Sequence, residues 1–131
     1  MKAFIFLADY ATGHPDGTLS ATRAMINRLH VKRGAPPQMQ VFLVARLSFD
    51  PADVGKHRVD IKCLDGSGAD ILRPNPRDFV VPAETRDANI VSRMVLKFPA
   101  IGAYSFVLEC DSSPIASWDF VVAEAAEEGT E

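Results

Sequence analysis

The chain is built from short apolar segments, most of them alternating with polar positions. In "HRVDIKCLD", Val59, Ile61 and Cys63 point one way and Arg58, Asp60 and Lys62 the other. In "RMVLKF", Met94, Leu96 and Phe98 oppose Arg93, Val95 and Lys97. In "GAYSFVLEC", Tyr104, Phe106, Leu108 and Cys110 share a face, and "ASWDFVVA" sets Trp118, Phe120 and Val122 against Asp119 and Val121. A period of two over strand-length pieces predicts half-buried antiparallel strands, with Trp118 in the core. Between them stand turn-forming clusters such as "TGHPDGT", "RGAPPQ", "DPADVGK", "DGSGAD", "RPNPRD" and "PAIG", whose Gly, Pro, Asp and Asn supply turn backbone angles.

Two segments break the alternation. "KAFIFLA" and "QVFLVARL" are apolar on both faces: Phe4 and Phe6 oppose Ile5 and Leu7, while Val41, Leu43, Ala45 and Leu47 oppose Phe42 and Val44. A strand apolar on both sides needs two covers. One is the core between two sheets. The other is a local segment or a second protein chain. The local candidate is "SATRAMINRLHVKR", read as a strand over residues 17–24 after a "PDGT" hairpin turn, followed by irregular chain with room for a short helical turn near residues 25–32.

The stretch "FPAIGAYSFVLEC" predicts a corner. Pro99 ends one strand, Gly102 permits a reversal, and Tyr104 opens the next strand with its ring inward and its hydroxyl free to reach nearby backbone. Phe106 stands where immunoglobulin domains carry an inter-sheet Cys, so an antibody-type domain is not implied. With seven or eight such strands and no long helix, the expected fold is an all-β, antiparallel, immunoglobulin-like sandwich, with a small barrel as the alternative. Residues 1–123 form its single domain, and "EAAEEGTE" reads as a disordered acidic tail.

The N-terminal strand ending "LADYA", the turn leading into "DGTLSATRAM", the approach to "QVFLVARL", and the stretches "HRVDIKCLDGSG" and "LKFPAIGAYSFVLECD" together resemble a family of short bacterial proteins known only as a domain of unknown function. The resemblance spans roughly residues 3 to 122. It implies an immunoglobulin-like sandwich, and it implies no activity, since it brings no catalytic residues with it.

Composition narrows the function classes. The 131 residues suffice for one core, and 47% apolar with 24% charged residues is ordinary for a globular domain. A formal net charge of -3 gives no global attraction to nucleic acid or anionic membrane. Arg23, Arg28, His30, Lys32 and Arg33 are the one basic concentration, and no aromatic residue is interleaved to stack on bases. The apolar run from Ala3 to Ala8 is too short for a signal-peptide core, and no stretch approaches a bilayer span, so a cytoplasmic home is expected.

Candidate chemistry is sparse. Cys63 and Cys110 read as reduced core thiols, able to pair only if their strands face each other. Neither C-x-x-C nor H-x-x-x-H spacing occurs, so no metal site and no cofactor is expected. Asp65, Ser67 and Asp70 look like a fragment of a calcium loop that Asp50 and Asp53 could join in space, which gives a ligand- or calcium-binding alternative through acidic end loops. His14, His30 and His57 read as surface residues, and no G-x-S-x-G nucleophile turn is present. The leading expectation is a non-enzymatic interaction or structural module that forms a homodimer, or meets an unidentified protein partner, through an apolar sheet face. Its contact is assigned to Phe42 and Val44 with Phe4 and Phe6, or on the other face Ile5 and Leu7.

Overall fold

A computed structural model of the chain describes residues 1–125; the acidic tail lies almost wholly outside the described residues. Within them the chain is all-β, with nine strands: β1 (Lys2–Gly13), β2 (Leu19–Ala24), β3 (Arg28–Val31), β4 (Gln38–Ser48), β5 (Gly55–Leu64), β6 (Arg77–Val81), β7 (Asp87–Lys97), β8 (Gly102–Cys110) and β9 (Ser113–Glu124). They form two sheets, one ordered β2-β1-β4-β7 and the other β3-β9-β8-β5-β6.

Direct pairing puts opposed side chains on the same face. The inward rows of the first sheet therefore run Ala3–Leu47–Ala88, Ile5–Ala45–Ile90 and Leu7–Leu43–Ser92. The second sheet answers with Ile61–Leu108–Ala116, Cys63–Phe106–Trp118 and Tyr104–Phe120. Ile5, Leu7, Leu43, Leu47, Leu96, Phe106, Leu108, Phe120 and Val122 are essentially inaccessible and belong to one hydrophobic cluster drawn from both sheets. Every alternating segment read from the sequence has its predicted apolar face turned to this cluster.

Three expectations need correction. The strand count is nine rather than seven or eight. No helical turn occurs at residues 25–32; Arg28–Val31 is instead a strand, and the one 3-10 turn lies at Pro51–Asp53. The sheets are not wholly antiparallel, because β3 runs parallel to β9. Residues 25–27 explain this. They cross from one sheet to the other, and Ile26 N–H donates to the Leu7 carbonyl while Asn27 accepts from Val121 N–H. The Trp118 indole N–H donates to the Ile26 carbonyl at 2.8 Å. The crossing delivers the chain to the edge of the second sheet in the same direction as β9, and left-handed φ angles at Arg23 (47°), just before it, and at Met25 (69°), its first residue, turn the chain into it.

The corner at Tyr104 forms as read. Gly102 sits at φ 145°, open only to glycine, and the Tyr104 hydroxyl donates to the Ala100 carbonyl at 2.6 Å. The phenol ring is buried against Phe98, with centroids 4.8 Å apart.

Strand β1 explains the two-sided apolarity of "KAFIFLA". Its first half, Lys2–Ala8, pairs with β4; its second half, from Ala8 on, pairs with β2. The hairpin does not continue straight. The Gly17 carbonyl at its tip accepts from Arg46 Nη1 at 3.0 Å and Asn89 Nδ2 at 2.9 Å. Arg46 lies opposite Phe4 and Asn89 on the outer side of the first sheet. A chain that leaves β4 at Ala8 can reach those two side chains only by bending back across the outer face. The β1–β2 hairpin is thus a local cover laid on its own sheet: Val44 on the covered side is fully buried, as are Ala8 and Ala11 of the arm itself.

Candidate functional site

The outward rows of the first sheet are Phe4–Arg46–Asn89, Phe6–Val44–Val91 and Ala8–Phe42–Arg93, with Gln40 beside Val95. All four residues assigned to a contact, Phe4, Phe6, Phe42 and Val44, therefore stand on one face. Ile5 and Leu7 stand on the other, sealed in the core. The four are not equally accessible. Val44 is fully enclosed, Phe6 and Phe42 are half-buried, and Phe4 is 49% exposed.

Aromatic packing orders the face. Phe4 sits 5.9 Å from Phe6 and meets Trp118 edge-on at 6.3 Å, where the first sheet's edge comes up to β9. Tyr10, on the folded-back arm, meets Phe42 edge-on at 5.1 Å. Such geometries suit the ring quadrupole and hold the rings in fixed poses. The exposed remainder is an apolar rim of Phe4, Tyr10 and Val95 around a centre the arm has filled.

The acidic loops are not brought together. Asp50 and Asp53 precede β5 and Asp65 and Asp70 follow it, so its ten residues, about 30 Å of extended chain, separate the two pairs. The carboxylates of Asp53, Asp65 and Asp70 are also engaged locally. Asp65 Oδ1 accepts from Ser67 N–H, Ser67 Oγ and Ala69 N–H. Asp70 Oδ1 accepts from the backbone N–H of Cys63 and of Leu72. Asp53 caps the 3-10 turn through Asp50 N–H and holds the Met1 ammonium at 3.1 Å. The Ser67 hydroxyl, ahead of the two backbone donors, holds the Asp65 carboxyl below the usual carboxylate value.

The histidines are scattered. His14 bonds Ser20 within the arm, and His30 is exposed on β3. His57 is different from the surface residue expected. Its Nδ1 lies 2.6 Å from Asp111 Oδ2 and its Nε2 lies 2.6 Å from the Asp53 carbonyl. The Asp111 carboxylate, then the Asp53 carbonyl, raise its pKa above 6.5. Cys110 Sγ reaches the same Asp111 oxygen at 3.7 Å. A Cys, a His and an Asp side by side suggest nucleophilic catalysis, and the geometry opposes it. Both imidazole nitrogens are occupied by oxygen acceptors, so neither is left to take a thiol proton. Burial pushes the Cys110 thiol up to about 11 and Cys63 up to about 12.

The two thiols cannot pair as the strands stand. Cys63 is opposite Phe106 and Cys110 opposite Val59, four ladder steps apart, or roughly 13 Å. Disulfide geometry requires Cα atoms within about 7 Å. Both are free. Of the basic residues in this stretch, Arg23 on β2 pairs with Asp9 and Arg33, just after β3, pairs with Glu124. Among the described residues no helix is long and apolar enough to cross a membrane.

The sequence did not mark the His57, Cys110 and Asp111 group, because 53 residues separate its two halves. The available signal was the pairing of "HRV" with "LECD" as neighbouring strands, which places His57 beside the β8–β9 turn. Comparison with known proteins gives one family match: a model described as "Family of unknown function (DUF6941)" fits residues 3–123. No curated protein matches, and no solved structure matches.

Proposed function

We propose, from the premise that the chain belongs to this family of unknown function, that it is a non-enzymatic interaction or structural module which associates with a second copy of itself through the outer face of the first sheet. One observation carries the reading. Phe4 at 49% exposure, Tyr10 at 53% and Val95 at 66% are large apolar side chains left open on the same side of the first sheet. Several large apolar side chains exposed on one side of a sheet favour a contact there. The folded-back arm satisfies the centre of the face and leaves a rim. A two-fold pairing would set the same rim on both copies against itself, with Phe4 as the buried anchor and Phe6 and Phe42 beside it. Val44 supports the contact from below without touching the partner.

The architecture fits a scaffold for such a contact. Two sheets around one core and a Tyr104 hydroxyl bonded back to Ala100 support reading the fold as an immunoglobulin-like sandwich, a single domain over residues 1–123. Two unpaired buried thiols suit a reducing compartment such as the cytoplasm. The calcium alternative draws no support from acidic pairs held at opposite ends of β5.

Carbene footprinting at low and at high protein concentration tests the assignment. Labelling of Phe4 and Tyr10 should fall at high concentration while that of Val80 and Ile101, exposed elsewhere, stays constant. Equal labelling of Phe4 at both concentrations, with protection appearing on another surface, would overturn the choice of face.

A further inference from the structure

We propose that His57, Cys110 and Asp111 form a binding site for a borderline divalent ion of the zinc type. One donor atom from each, an imidazole nitrogen, a thiol sulfur and a carboxylate oxygen, lies within 4.8 Å of the others. Nitrogen, sulfur and oxygen in one cluster are the donor set that zinc accepts, with a fourth position left to water.

The surroundings match those of a ligating set. A metal-binding histidine ordinarily donates its second ring N–H to a carbonyl or carboxylate, which fixes the tautomer and the ring plane. His57 Nε2 does this to the Asp53 carbonyl at 2.6 Å, leaving Nδ1 aimed at Asp111 and Cys110. A ligating carboxylate is in turn held by a hydrogen bond. Asp111 Oδ1 accepts from Arg58 N–H at 2.9 Å, leaving Oδ2 toward the cluster. The Arg58 guanidinium is engaged by Asp78 at 2.8 Å and does not compete for Asp111.

Backbone geometry makes the site rigid. Asp111 and Ser112 are the two-residue loop between β8 and β9, both left-handed at φ 51° and 70°, the conformation of a type I′ hairpin turn. Asp111 N–H donates to the Arg58 carbonyl at 2.8 Å, tying the turn to β5, on which His57 lies. Cys110 is fixed from the core side, and the half-open Asp111 leaves a path from solvent.

Without metal, a proton occupies the line between His57 Nδ1 and Asp111 Oδ2. The ion would replace it: Nδ1 gives up its proton, Cys110 Sγ–H ionises to thiolate, and both protons pass to solvent. Thiolate and carboxylate together neutralise a dication. Nδ1 and Oδ2 must part by about an ångström to fit metal–ligand bonds of roughly 2.0–2.1 Å, a displacement the exposed Asp111 side chain allows.

Cobalt(II) is the probe. Titrating the reduced full chain should give a saturable one-to-one thiolate-to-cobalt charge-transfer band with the visible bands of a four-coordinate ion, both erased by added zinc. His57→Gln, at a partly exposed residue, should weaken binding by about tenfold or more, and Cys110→Ser should abolish the charge-transfer band. Cys63→Ala should retain it. The wild-type titration decides without any variant: absence of the band from folded protein overturns the proposal, as does a band that persists in folded Cys110→Ser.

Discussion

Val44 and Phe4 stand on the same outer face of the first sheet, and replacing them should have opposite consequences. Val44 lies wholly under the chain's own hairpin arm, whereas Phe4 is 49% exposed. Val44→Ala removes two buried methyl groups, each worth about 0.8 kcal/mol, and adds a cavity contribution of similar size, so the monomer should lose about 2–3 kcal/mol. Phe4→Asp opens no fully buried site, although it gives up the half of the ring that packs on Phe6 and Trp118. About 100 Å² of its ring surface is free, and at about 25 cal/mol/Å² its burial is worth at most about 2.5 kcal/mol for each copy of a dimer. Allowing for incomplete burial, the dimer dissociation constant should rise by at least about a hundredfold. Urea unfolding of dilute protein measures the first effect and concentration-dependent light scattering the second. The reasoning fails if folded Phe4→Asp associates as the wild type does, or if Val44→Ala changes association and not monomer stability.

Further expectations follow from the same geometry. Tyr104→Phe removes the hydroxyl that donates to the Ala100 carbonyl and should reduce stability by about 1 kcal/mol in urea unfolding, with no change in self-association. Gly102→Ala forces a β-carbon into φ 145° and should cost about 1–3 kcal/mol by the same measurement. Asp65 has its carboxyl pKa held below the usual carboxylate value, first by the Ser67 hydroxyl. Its contribution is therefore full above that value and is lost as pH falls through the depressed folded one. Asp65→Asn should flatten the acid limb of a stability-against-pH curve and leave the neutral region unshaped; an unchanged acid limb counts against the role of the turn.

Much of this fold was legible because a period of two reports burial directly. Val59, Cys63, Leu96, Phe106, Leu108, Phe120 and Val122 were assigned inward by alternation alone, and Tyr104 by its place after a Pro and a Gly. Other features were not local. "KAFIFLA" and "QVFLVARL" announce two covers without naming them, and the cover proves to be an arm that begins in β1 itself. Its bend at Ala8 carries no Gly or Pro, so nothing in the pattern marks it. The four residues of β3 are too few to show a period, and their parallel partner lies about ninety residues away at β9. His57 and Cys110–Asp111 meet only because β5 pairs with β8. Alternation places Phe4 and Phe6 on one side of their strand and Phe42 and Val44 on one side of theirs, but which of the four solvent reaches depends on the arm.

Sedimentation equilibrium of the wild-type chain, from low micromolar to several hundred micromolar, tests the central claim most directly. The account predicts a reversible shift toward a species of twice the 14.3 kDa chain mass, abolished by Phe4→Asp. A single 14.3 kDa species across the whole range would contradict it.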